Sequence, residues 1–201
     1  MKATLLVLWM VQAMAAWTSG RELTPAREAH LEMTAREALT VAFADGAATL
    51  YADTYARSRS ALLMTSVAAR ESGFDPRIQR HECRGEECDS GNAYCYMQIH
   101  LETGVVLSET GDWWFDAKAV DAIHADDLAD PASCFRVGEH MLWKALHASR
   151  GKNLCRYTGE RGNECPAGAL RLNQAKDWLK DHPVPFSDEE VLAEFRGVPS
   201  N

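Results

Sequence analysis

The sequence predicts a mainly α-helical single domain, and three observations carry that expectation. Apolar residues recur at helical spacing over long runs, as in Leu31, Ala35, Ala38, Leu39 and Ala42. Several runs open on a capping residue followed by proline, as at Thr24-Pro25 and Asp130-Pro131. No stretch alternates apolar and polar residues over the length of a strand. At 201 residues the chain can bury one sizeable core, and no linker, repeat or low-complexity tract divides it. Its apolar fraction of 46% and charged fraction of 25% are those of an ordinary globular protein.

The first twenty residues admit two readings. Lys2 precedes a mostly apolar run from Ala3 to Ala16, and Ala13-Met14-Ala15 supplies small residues at the spacing a signal peptidase accepts. The run is too short to span a membrane. It is expected to be a secretory signal peptide or an N-terminal helix of the domain. Residues 21–201 are then one domain.

Further along, Thr24 caps a helix that opens on Pro25 and ends near Asp45-Gly46. A shorter helix is expected from about Ala47 to Tyr55, and another from about Ser60 to Glu71. Asp75 to Ala93 is polar, charged and cysteine-bearing, and reads as a loop. Tyr94 to Ile99 is a short β-prone run. Trp113-Trp114-Phe115 reads as core or cleft wall. Pro131 opens a helix reaching about Ser149, with a short one expected near Asn153 to Tyr157 and a longer one from Pro166 to Asp181. The last helix starts at Ser187, with Glu190 three residues on as a capping box.

Glu71 stands out among these residues. Leu63, Val67 and Glu71 are four apart and share one helix face. An apolar stripe therefore ends in a carboxyl, just before the stop signals Gly73 and Pro76. An unpaired carboxylate is costly to bury. The stripe thus predicts a side chain that holds its proton near neutrality, as a general acid must. The plainer reading is a solvated Glu at a helix end.

Six cysteines, at positions 83, 88, 95, 134, 155 and 165, form an even set suited to disulfides in an exported chain. Local pairing joins Cys83 with Cys88 and Cys155 with Cys165, leaving Cys95 with Cys134. Six cysteines allow about fifteen pairings, so others stay open. His81, Cys83, Cys88, Cys95 and His100 crowd together, but their spacing matches no common zinc pattern. No metal and no cofactor is expected. A net charge of −8 without a Lys/Arg cluster argues against nucleic acid or an anionic membrane as partner.

Three stretches in order resemble the signature of lytic transglycosylases and goose-type lysozymes. Glu71-Ser72-Gly73-Phe74-Asp75-Pro76 matches Glu-Ser-x-Phe-x-Pro at each fixed place. Tyr96-Met97-Gln98-Ile99 is similar to Gly-Leu-Met-Gln-Ile, and Tyr157-Thr158-Gly159 to Ala-Tyr-Asn followed by Gly. The resemblance covers about residues 60–180. Cys95 and Tyr96 stand where the family has Gly-Leu, and Thr158 where it has Asn.

The resemblance implies a lysozyme-like (goose-type) helical domain with a small cysteine-bearing loop or β element. It further implies an enzyme that cleaves the MurNAc–GlcNAc bond of peptidoglycan glycan strands and leaves 1,6-anhydroMurNAc ends. A monomer is expected, and the apolar N-terminus makes it periplasmic or secreted, with a phage-associated or cytoplasmic chain as the alternative. Glu71 is implied as the single catalytic acid and base. Ser72, Met97, Gln98 and Tyr157 are implied as substrate-binding residues, with Tyr157 also holding Glu71 in position. Hydrolysis of the same bond, as in a muramidase, is the alternative outcome. A non-catalytic, disulfide-stapled wall-binding module and an interaction module unrelated to sugars are the readings outside enzymology.

Overall fold

The computed structural model describes residues 1–47, 49–84, 92–100, 126–155, 157–158 and 165–196. Among them are seven α-helices and one two-stranded sheet, so the chain is mainly α. The helices are α1 (Lys2–Trp17), α2 (Pro25–Phe43), α3 (Ala56–Glu71), α4 (Pro76–Gln79), α5 (Pro131–Ala148), α6 (Pro166–Asp181) and α7 (Asp188–Arg196). No helix among the described residues is long and apolar enough to cross a membrane.

The capping signals act where the sequence puts them. Thr24 Oγ1 accepts from Arg27 N at 3.3 Å ahead of Pro25, and Asp130 accepts from Ser133 N at 2.9 Å ahead of Pro131. At α7 the Ser187 N–H and hydroxyl both donate to the Glu190 carboxylate. The N-terminus of α3 has no cap of its own in sequence. Asp188 supplies it from α7, accepting from Arg57 N, Ser58 N and Ser58 Oγ at 2.7–3.2 Å.

Helix α3 is the central element. Eleven of its sixteen residues are buried, from Ala56 to Ala68, so nearly its whole circumference is packed. It lies against α1, α2, α5, α6 and α7. Helix α1 fills one side of it, with Leu6, Val7, Met10, Ala13 and Met14 fully buried. Its first turn is held to α7, where Glu194 accepts from Lys2 N at 3.1 Å and Ala3 N at 3.0 Å. Residues 2–17 are thus a core helix of the folded domain.

Three local expectations differ from the structure. The described residues between 47 and 55 are not helical, and α3 begins at Ala56, where Asp188 can cap it. Helix α4 occupies the start of the expected loop, because Asp75 caps it through Arg77 N at 2.9 Å and Pro76 opens it. Asn153 to Cys155 and Tyr157 form turns rather than a helix, since Asn153 accepts from Cys155 N and bends the backbone there.

The β-prone run folds as a hairpin. Strand β1 (Ala93–Tyr94) pairs antiparallel with β2 (Ile99–His100), with Ala93 opposite His100 and Tyr94 opposite Ile99. Cys95 is joined to Cys134 on α5, and Cys155 to Cys165 at the start of α6. Both bonds are those that local pairing gives. Cys83 is also disulfide-bonded, and Cys88 lies outside the described residues. Disulfides of this number suit an oxidising setting.

Candidate active site

Three chain segments meet at the C-terminal end of α3. Leu63 and Val67 are fully buried, and Glu71 ends their stripe with its side chain 18% exposed. The helix stops because Gly73 and Phe74 both take left-handed backbone, each at φ +56°. That conformation is open to glycine but costs a bulky residue about 1–3 kcal/mol. Phe74 is held there by its surroundings. Its ring is fully buried, its N–H donates to Ser72 Oγ at 3.2 Å, and its carbonyl lies 3.2 Å from His30 Nε2 on α2. Ser72, 6% exposed, also donates its hydroxyl to Ala68 O at 2.9 Å. Both of its hydrogen bonds go to backbone.

The sequence leads one to expect Glu71 without a charged partner, and this expectation is corrected. Arg171 Nε on α6 donates to Glu71 Oε1 at 2.8 Å, with the two side chains 14% and 18% exposed. Arg171 is itself fixed: its second guanidinium nitrogen donates to Ala167 O at 2.6 Å, and its own carbonyl accepts from Ser66 Oγ at 2.8 Å. Helix α6 packs against α3 and so brings a cation to its end, while Gly168, one turn earlier, lies against the backbone of Leu154 and Cys155. Glu71 Oε2 makes no hydrogen bond among the described residues. One carboxylate oxygen is therefore anchored by Arg171.

The second wall is the turn that closes the hairpin. Cys95 has φ +56° and Gln98 φ +48°, so this turn holds two non-glycine residues in left-handed backbone. Cys95 stands where the resembling family carries glycine, and its backbone takes the conformation that favours glycine. Met97 is fully buried and lies over Gly138 of α5, where a Cβ would come within 2.5 Å of Met97 Cε. Its contribution here is its carbonyl rather than its thioether. Gln98 is half-buried, with its amide 3.4 Å from Cys95 O. Tyr96 points inward, 2% exposed, with its hydroxyl 2.9 Å from His30 Nε2. Burial pushes its phenol up to about 12.

Tyr157 supplies the third part. Its hydroxyl donates to Met97 O at 2.6 Å, tying its segment to the hairpin turn. Burial pushes the phenol well above its ordinary value, and the Glu71 carboxylate adds to that shift while Arg171 opposes it. Tyr157 is therefore a neutral donor within electrostatic reach of the Glu71–Arg171 pair. Thr158 donates to Cys155 O at 3.2 Å. Trp113 and Trp114 lie outside the described residues. The Tyr157 hydroxyl thus holds Met97 rather than Glu71, which it reaches only electrostatically, and the Ser72 and Gln98 side chains turn to nearby backbone.

Two features have weaker sequence signals. Arg171 sits between Gly168 and Ala175 on a face of small buried residues, and a cation there demands a carboxylate partner. Glu139, 2% exposed and next to Gly138 on α5, is a buried acid that helical spacing alone does not flag. No protein-family model, no curated protein and no solved structure matches the chain.

His30 gives this region a pH response. Burial lowers its pKa most, with Arg27 and Arg80 acting the same way and the Phe74 carbonyl and Asp75 opposing. Folding therefore favours neutral imidazole, and the unfolded chain binds the proton first as pH falls below about 6.5. That stability is full above the unfolded pKa and is lost as pH drops toward the lower folded value. Wild type is expected to lose melting temperature between pH 7 and pH 5 more steeply than His30→Gln. Parallel slopes in a thermal melt series would remove His30 as the cause.

Proposed function

We propose that the chain is a peptidoglycan-cleaving enzyme of the lytic transglycosylase kind, with a lysozyme-like helical domain and Glu71 as its acid and base. One observation supports this above the others. The three separately spaced motifs meet, with Tyr157 hydrogen-bonded to Met97 and coupled electrostatically to Glu71. The disulfides agree with a setting outside the cytoplasm, periplasmic or secreted, where the wall lies.

In this reading Glu71 gives a proton to the leaving glycosidic oxygen while the bond to the sugar carbon breaks. The substrate's own N-acetyl group stabilises the resulting cation. The same carboxylate then takes the proton of the sugar's C6 hydroxyl, and that oxygen closes the anhydro ring. Atoms balance with no water added. Arg171 orients the carboxyl through Oε1. Tyr157 keeps the hairpin turn, and with it Gln98, against the end of α3.

The Glu71–Arg171 pair also favours a second reading, a wall-binding domain in which the pair is structural. Mass spectrometry of fragments released from purified sacculi separates the two. Anhydro-muramyl ends are the expected product. Reducing ends alone would make the protein a hydrolase, and no release would leave the binding domain.

A further inference from the structure

We infer that a second groove, on the outer face of α6, binds an uncharged glycan as an accessory subsite. This rests on the glycan reading above for the kind of strand, while the groove itself is a separate feature. It has a volume of about 460 Å³, within the range of small-ligand sites, and runs between the C-terminal ends of α1 and α3 and along α6. Its walls are indole. Trp17 meets Trp178 edge to face, with ring centroids 6.2 Å apart, and His182 stacks on Trp178 at 3.8 Å. The Trp178 ring is thereby locked in place.

Polar groups line the same groove. Arg70, directly before Glu71, donates through Nε to Gln174 Oε1 at 2.6 Å, and the Gln174 amide donates on to Ser66. The two terminal nitrogens of Arg70 and the amide of Asn173 make no hydrogen bond among the described residues. The Trp178 Nε1–H, on the ring that lines the groove, is buried and lacks a partner among them. Indole surface beside unspent donors and acceptors suits a ring with an apolar face and hydroxyl or amide edges. Two carboxylates, Asp181 and Asp177 (the latter paired with Lys180 Nζ at 2.6 Å), stand against the one guanidinium of Arg70, so the lining has no excess of positive charge for an anion. A neutral N-acetylhexosamine chain fits this chemistry better than an acidic peptide or a polyphosphate.

Position adds to the argument. Arg70 and Glu71 are consecutive at the end of α3, and Leu170 and Arg171 are consecutive on α6, so groove and ion pair lie on adjoining faces of one helix pair. A strand held in the groove would be kept close to Glu71.

The probe is triacetylchitotriose, titrated into Glu71→Gln protein so that no turnover intervenes, and read by calorimetry and tryptophan fluorescence. Saturable binding with a shift of indole emission is expected. Asn173→Ala and Arg70→Ala, both at exposed positions, should weaken it at least tenfold, as should Trp178→Phe if its melting temperature is kept. Absence of binding, or an unchanged Kd in the Asn173 and Arg70 variants, overturns the subsite. Tighter binding of a polyanion such as polyphosphate overturns its neutral-ligand assignment. Sacculus release by the same variants with Glu71 intact is scored separately, so loss of binding with retained cutting is distinguishable from failure of the enzymatic reading.

Discussion

Glu71→Gln is expected to lower sacculus cleavage by about 10²–10⁴-fold, the contribution of a positioned general acid. The variant keeps the shape of the side chain and an oxygen for Arg171, but it can neither deliver nor recover the proton. It should also be less stable at neutral pH by about 1 kcal/mol, because a charge-assisted hydrogen bond becomes an ordinary one. From the apolar stripe alone, without the ion pair, the opposite would follow: a variant as stable as wild type or more so. Activity assays beside thermal melts check both halves. A glutamine variant that cuts at the wild-type rate removes Glu71 from the mechanism, and one of unchanged stability means that the pair with Arg171 contributes nothing in solution.

A chain starting at Thr18 is expected not to fold cooperatively. Leu6, Val7, Trp9, Met10, Val11 and Met14 are all buried in α1. At about 1.5–3 kcal/mol per buried side chain, their loss is comparable to the about 5–15 kcal/mol by which a domain is ordinarily stable. Cleavage beside Ala13-Met14-Ala15 would remove the same contacts and leave the α3 side chains they cover facing water. Near-ultraviolet circular dichroism and a thermal melt of the truncated protein provide the check. A sharp transition within a few degrees of the full chain would show that α1 is dispensable.

Helix starts were legible where capping is local, as at Thr24-Pro25 and Asp130-Pro131, whereas Asp75-Pro76 carries the same signal ahead of a four-residue helix in a stretch whose polar, cysteine-bearing composition reads as loop. The start of α3 was not, because its cap, Asp188, is supplied from more than a hundred residues away. The same distinction runs through the candidate site. The Leu63-Val67-Glu71 stripe is a matter of helical spacing, and its burial follows the sequence pattern. Arg171 is 100 residues from Glu71, and only the packing of α6 on α3 brings them together. Nor does sequence tell which way an aromatic faces. Tyr96 could have stacked on a sugar, yet the left-handed turn at Cys95 sends it into the core toward His30.

The two described disulfides sit where the order of assembly matters. Cys95–Cys134 fastens the turn bearing Gln98 to α5, and Cys155–Cys165 fastens the segment bearing Tyr157 to the start of α6, the helix of Arg171. A chain made in a reducing compartment lacks both fasteners. Its α3 can form from local spacing and burial, but the two segments that face Glu71 are tethered only by weaker contacts. How firmly those two segments are held then depends on thiol oxidation.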